Sequence, residues 1–289
     1  MHHMLSTLNR RNFLTAAGAA AVGLCAPLGK AQSTKKSRFK QSAMMVNFFP
    51  KTSLDDACRD AERVGCAGFD LIDPKDWPTL KKHGLLCTLY HNNANTFEDG
   101  IIHPEVHAAQ EKLVHADIDL AAANGYPNLI LVGGMRRGMK IDEGSDHAVA
   151  FLNRVKAHAE DKAVNIVMEP VNPVDRPDQI LNKLAITAEI CQRVNSPRVK
   201  ILFDIYHVQQ IDGDVSNNLR KYFPWIGHIH TAGVPGRREI DDTQELNYHF
   251  IAQTIADLDY TGYIAHEYRP SMGHDAAKEL QRALKIMTV

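Results

Sequence analysis

The chain has 289 residues, 44% hydrophobic and 23% charged, with a formal net charge of −1. Such a composition excludes a disordered, collagen-like or disulfide-scaffold chain, and the length suffices for one barrel domain of roughly 250 residues. Nothing in the charge favours a phosphate backbone, so no nucleic-acid partner is expected.

The first element is a leader. NRRNFL (9–14) precedes the Ala/Gly-rich run TAAGAAAVGLCAPLG, and Gly29, Lys30 and Ala31 fit a small-x-small cleavage site. Arg10, Arg11, Phe13 and Leu14 stand in the order of a twin-arginine export signal. The expectation is a signal peptide over 1–31 and a periplasmic or extracellular mature protein. A disordered basic N-terminus is the alternative, and bulky Leu24 before Cys25 disfavours a lipoprotein. Removing 1–31 takes away Arg10, Arg11 and Lys30 but no acid, so the mature chain is the more acidic. A polar leader is expected over 32–41, and no later run is long and apolar enough to span a membrane. Cys58, Cys66, Cys87 and Cys191 show no CxxC spacing and read as buried thiols.

From 42 to 289, short apolar runs alternate with amphipathic ones. Strands are predicted at 43–48, 68–73, 85–91, 128–134, 165–170, 199–206, 226–233 and 262–268. Helical patterns follow each, over 53–65, 78–84, 103–125, 145–163, 180–194, 218–223, 247–259 and 274–287. Eight strand–helix pairs predict a single-domain α/β fold, a (β/α)8 TIM barrel. A doubly wound Rossmann-like sheet is the alternative, but no GxGxxG follows the first strand.

In such a barrel alternate residues face inward, and the active site lies at the C-terminal strand ends. Strand five pairs Val167 with Glu169, strand six Leu202 with Asp204, strand seven His228 with His230, and strand eight Ala265 with Glu267. Taken singly, each polar residue has an ordinary reading: Asp204 caps a turn, His230 is a satisfied core histidine, and the glutamates pair with arginines. Recurrence across four consecutive strands favours a site. Three carboxylates converging in a low-dielectric mouth repel one another and take up protons unless a cation holds them. The O₃N donor set suits one divalent ion, Mn²⁺, Mg²⁺ or Co²⁺, with Zn²⁺ also acceptable.

MEPVNPVDRP (168–177), FDIYHVQ (203–209), HIHTAGVPGRRE (228–239), ELNY (245–248) and HEYRP (266–270) resemble the hydroxypyruvate isomerase branch of the xylose isomerase-like barrels, which includes the ketose 3-epimerases. GFDLIDPKDWPTLKKHGL (68–85) resembles the second unit of the same barrels, so the likeness covers the whole mature chain. It implies that Glu169, Asp204, His230 and Glu267 bind the metal and that Glu169 and Glu267 also carry the substrate proton. It further implies that His207 and Arg237 contact substrate oxygens. Hydroxypyruvate isomerases usually carry HIQ at the third ligand, where this chain has HIH, as the sugar 3-epimerases do.

The chemistry expected is isomerisation or epimerisation of an α-hydroxycarbonyl compound through an enediolate. The partner is a small sugar or keto-acid substrate, and a homodimer is the prior for such barrels. Arg237 offers a fork of donors to a carboxylate or hydroxyl, against the reading of a solvated loop arginine. His91 and Asn172 are further substrate-contact candidates, against capping or core roles for the first and a turn role for the second. An exported protein fits a free sugar or keto sugar better than cytoplasmic hydroxypyruvate metabolism. Two rivals remain. A phosphodiester-cleaving barrel of the apurinic endonuclease type needs further ligands, one at the end of strand four, where this chain has GGMRRG. A non-catalytic sugar-binding barrel is the other.

Overall fold

Eight parallel strands close on themselves, β1 (Lys40–Met44), β2 (Gly68–Asp70), β3 (Leu86–His91), β4 (Asn128–Leu131), β5 (Asn165–Met168), β6 (Val199–Asp204), β7 (Ile226–Thr231) and β8 (Tyr263–His266). They are hydrogen-bonded in chain order, and β8 returns to β1, making a TIM barrel. This computed structural model describes residues 37–91 and 95–289, so the expected signal segment over 1–31 and the first half of the expected leader lie outside the described residues. Around the barrel run α1 (Met45–Phe48), α2 (Leu54–Val64), α3 (Trp77–Lys82), α4 (Pro104–Asn124), α5 (Ile141–Lys162), α6 (Leu184–Val194), α7 (Ile205–Ile211), α8 (Val215–Tyr222), α9 (Tyr248–Asp257) and α10 (Ala276–Met287). Local sequence sets several of their ends. Ser53 caps α2 by accepting from the Asp56 N–H, and Gly65 and Gly125 end α2 and α4 at positive φ, where only glycine is free of strain.

Several boundaries differ from the sequence pattern, and hydrogen bonds account for three of them. The first strand starts at Lys40 rather than 43, because Lys40–Ala43 pair with Tyr263–His266 to close the barrel, and Met45–Phe48 then coil into α1. The sixth strand stops at Asp204, whose Oδ1 accepts the Tyr206 N–H at 2.9 Å and starts α7, a helix the apolar run conceals. Helix α6 begins at Leu184 rather than 180. Ile180 spends its N–H on the Gly134 carbonyl (3.2 Å), and the Leu181 carbonyl accepts from Val171 (2.8 Å). Helix α5 extends back to Ile141 from the expected 145.

Most of the core lies between sheet and helices, but Leu89, Ile130, Val167 and Leu202 form a separate cluster inside the barrel. It is the floor on which the mouth stands. Two bulges set what faces inward above and beside it. The β2–β3 register passes over Thr88, and the β6–β7 register passes over Gly227. The first lets Thr88 donate its hydroxyl to Asp70, and the second brings His228 beside Leu202 and His230 beside Asp204. Gly227 has to be glycine, since a Cβ there would lie 2.8 Å from the Cβ of Lys200. Cys58, Cys66, Cys87 and Cys191 are buried free thiols, and burial pushes Cys66, Cys87 and Cys191 up to about 12, so none of these three is a thiolate at neutral pH.

Leu202 is wholly buried in the inner cluster, so Leu202→Ala should lower stability by about 2–5 kcal/mol through lost burial plus cavity. Urea unfolding monitored by circular dichroism reads this, and an unchanged midpoint would contradict a packed floor.

Candidate active site

The parallel barrel delivers all C-terminal strand ends to one face. Glu169 follows β5, Asp204 ends β6, His230 lies near the end of β7, and Glu267 follows β8. One ligand-type atom from each lies within 4.8 Å of the others. All four sequence-predicted ligands are thus brought together.

Their charges are far from balanced by solvent. Glu169 is 9% exposed, and its Oε1 has no hydrogen-bond partner although it lies 4.0 Å from His230 Nδ1 and 3.9 Å from His207 Nε2. Burial, and next the neighbouring Glu267 charge, raise the Glu169 carboxyl well above the usual range. For Glu267 burial acts in the same sense, but contact with His230 and Arg237 outweighs it and lowers the carboxyl. Glu267 is therefore partnered within the mouth, whereas one oxygen of Glu169 is not.

His230 is held from both ring nitrogens. Nδ1 lies 2.7 Å from Glu267 Oε2 and faces the cluster, while Nε2 lies 2.9 Å from Asp70 Oδ2. Burial lowers its proton affinity, yet Glu267 and Asp70 together raise it well above the ordinary value. Asp70, on β2, also accepts from His228 Nε2 at 2.8 Å and from Thr88. Burial opposes its ionisation, but the two histidines hold it as a carboxylate. An imidazole whose outer nitrogen is fixed by a buried carboxylate presents the inner one as a ligand, the usual support of a metal-bound histidine.

Sequence reasoning missed Asp70. Its signal was the one Asp204 carries, a carboxylate closing a short apolar run, here GFD.

Arg237 reaches across the mouth. Its Nη2 lies 3.1 Å from Asp204 Oδ2 and 2.7 Å from Glu267 Oε2, and its guanidinium sits 4.9 Å from the Tyr206 ring centroid. It is no solvated loop residue.

His207, in the first turns of α7, is 3% exposed. Its Nδ1 receives the Asn172 N–H at 3.2 Å and lies 2.7 Å from the Asn172 amide nitrogen. Both partners are donors, so the tautomer assigned from them leaves Nδ1 bare and puts the proton on Nε2, facing Glu169 and Asp204 (3.5 Å). Burial lowers its proton affinity, which keeps the ring neutral. The result is a neutral N–H donor aimed into the mouth.

Asn172 stands elsewhere than the substrate-contact expectation placed it. Wholly buried behind His207, it accepts with Oδ1 from the N–H groups of Val174 (3.1 Å) and Asp175 (2.9 Å), and its Nδ2 donates to Asp175 Oδ2 (3.0 Å). Every polar atom of its amide is engaged, so it positions His207 and does not face the cavity. His91, at the end of β3, does line the cavity, with Nε2 on the Asn95 carbonyl at 2.9 Å.

The cavity at the mouth measures about 190 Å³. That lies below the roughly 300–1,000 Å³ typical of sites for drug-sized ligands, so it suits a compound of a few carbons. Glu169, His207, His230, Arg237 and Glu267 line one side, and Met44, Leu71, Leu89, Ile130 and Val132 the other. The end of β4 is followed by Val132, Gly133 and Gly134, which supply no ligand side chain of the kind a multi-zinc nuclease needs there.

Fold and site define a class: a closed parallel barrel carrying three carboxylates and an imidazole at its C-terminal mouth. The chain belongs to the xylose isomerase-like TIM barrel family, whose model matches residues 78–287. It is 27% identical over 248 residues to the 2-oxo-tetronate isomerase of Haemophilus influenzae, covering 80% of this chain and 93% of that one. It is 41% identical over 117 residues to a Danio rerio protein named "Putative hydroxypyruvate isomerase", spanning 40% of this chain and 42% of that relative. Among solved structures it superposes on an AP endonuclease of family 2 from Brucella melitensis (TM-score 0.76, 22% identity, 83% and 96% of the two chains). It also superposes on a 3-keto-D-glucoside 4-epimerase from E. coli (TM-score 0.71, 20% identity, 86% and 98%). At these identities the structures speak for the fold alone.

The tautomer assignment is directly testable. In protein labelled with ¹⁵N-histidine, His207 should show an unprotonated Nδ1 and a protonated Nε2 at neutral pH, and Asn172→Ala should blur that preference. A protonated Nδ1 in the wild type would overturn it.

Proposed function

We propose that the protein is an isomerase or epimerase of small α-hydroxycarbonyl compounds that holds one divalent ion and moves the substrate proton with Glu169 and Glu267. The observation that carries this reading is the buried cluster itself, with the Glu169 Oε1 left without a partner. A donor set of three carboxylates and one imidazole fits Mn²⁺, Mg²⁺ or Co²⁺, with Zn²⁺ acceptable. Glu169, Asp204, His230 Nδ1 and Glu267 would hold the ion, and Asp70 would fix the outer nitrogen of His230. When bound, such an ion lowers the acidity barrier of the carbon between carbonyl and hydroxyl.

The remaining roles belong to the chain. Glu169 and Glu267 reach the cluster from strands separated by two others, so each can meet a different side of a substrate seated between them. One removes the carbon-bound proton to leave an enediolate, and the other returns a proton to the neighbouring carbon or the opposite face. The His207 Nε2–H would hold the oxygen on which charge develops, and Arg237 would add a guanidinium beside Asp204 and Glu267. The apolar wall on the far side keeps water from the reacting carbon. Isomerase names among the relatives support the reaction class. Export by the twin-arginine route, proposed from NRRNFL and the run that follows it, would place the activity outside the cytoplasm.

Glu→Gln keeps an oxygen for the ion and removes the basic site. Glu169→Gln and Glu267→Gln should each retain much of the metal and lose turnover by a factor on the order of 10²–10⁴. Either variant should still exchange the substrate proton with deuterium from the face whose carboxylate remains, read by NMR in D₂O. Asp204→Asn should weaken metal binding first, with activity partly recovered at excess Mn²⁺. Normal turnover by both Gln variants would reduce the glutamates to ligands.

A further inference from the structure

A second group of ligand-type side chains lies outside the mouth. Glu239, on the loop after β7, His274, on the loop after β8, and Glu279, in the first turn of α10, bring one ligand-type atom each within 4.8 Å of the others. The two glutamates are 6% and 8% exposed, so water offsets little of their charge. Glu239 is held by the β8 loop, its Oε1 accepting from the Ser271 N–H at 2.6 Å and its Oε2 from the Ser271 hydroxyl at 3.0 Å. Glu279 has no such hold. Among the described residues its Oε2 has no hydrogen-bond partner, and its Oε1 lies 3.3 Å from His274 Nδ1 and 3.7 Å from Arg282 Nη1. Arg282 is itself exposed and lies closer to Asp241, 2.5 Å from Oδ2.

His274 Nδ1 also lies 3.4 Å from Glu239 Oε1. One ring nitrogen thus faces two buried carboxylates at nearly equal distance, although it carries at most one hydrogen. Both separations exceed the roughly 2.7–2.9 Å of a charge-assisted N–H···O bond, so a proton on Nδ1 serves neither oxygen well. A metal ion would serve all three groups. With bonds of about 2.0–2.1 Å to zinc, the ligand atoms of a tetrahedron stand about 3.3 Å apart, which is the spacing of His274 Nδ1 from the two oxygens. One imidazole and two carboxylates, with water in the fourth position, form a donor set that zinc accepts.

We propose that Glu239, His274 Nδ1 and Glu279 form a second metal site, for Zn²⁺, that clasps the loop after β8 to the loop after β7 and to α10. Arg237 stands two residues before Glu239, Glu267 precedes the β8 loop, and the Arg269 N–H donates to the Arg237 carbonyl at 3.1 Å. The clasp therefore steadies the two loops that meet behind these mouth residues. It depends neither on the reaction nor on the ion proposed for the mouth.

Zn²⁺ titrated into the metal-stripped full chain, followed by calorimetry, should find one site fewer in His274→Ala and in Glu279→Gln than in the wild type. Asp204→Asn, which alters the mouth, should keep that site, so the two sites are read separately. His274 is exposed, and His274→Ala should keep the wild-type circular dichroism. Equal zinc stoichiometry in the wild type and both variants would overturn the proposal.

The unaltered chain gives a second readout. In protein labelled with ¹⁵N-histidine, Zn²⁺ should move the His274 Nδ1 resonance to the metal-bound range, and hydrogen exchange over residues 271–275 should slow in the wild type but not in Glu279→Gln. A His274 Nδ1 unmoved at saturating Zn²⁺, or loop exchange unchanged by zinc, would overturn it.

Discussion

Glu169, Asp204 and Glu267 are brought by the strand order into one buried mouth, and their mutual repulsion is the constraint from which the rest of the site follows. In this arrangement the opposing charge comes from His230, bridged between Glu267 and Asp70, and from Arg237, bridged between Asp204 and Glu267. Glu169 is the carboxylate left over, with one oxygen unpartnered and its proton affinity raised. A cation among the four groups would resolve that imbalance without displacing the supports, because Asp70 already holds the far side of His230 and Asn172 the far side of His207.

The supports explain why the barrel departs from regular geometry where it does. Bulges at Thr88 and Gly227 cost ladder hydrogen bonds, yet without them Thr88 would not reach Asp70, and the β7 row would fall out of phase with β6. Asp204 serves two ends at once, capping α7 through Oδ1 and facing the cluster through Oδ2. The turn-cap reading and the ligand reading of that residue are compatible, since a carboxylate has two oxygens.

The fold and the four clustered side chains were legible because a strand has period two: a polar residue two positions beyond a buried one must face the same way. Glu169, Asp204, His230 and Glu267 each follow Val167, Leu202, His228 and Ala265 at that spacing. What stayed hidden depends on contacts distant in sequence. Asp70 gains its meaning from histidines on β7, Asn172 from the bare nitrogen of His207, and Lys40–Gln41 from β8, to which they pair despite their polarity.

Whether one divalent ion sits among the four clustered groups is the claim on which the account turns, and anomalous diffraction from crystals grown with Mn²⁺ measures it most directly. Data collected across the manganese absorption edge should give one strong peak within bonding distance of Glu169, Asp204, His230 Nδ1 and Glu267. A peak elsewhere, several peaks in the mouth, or none at full Mn²⁺ saturation would contradict it.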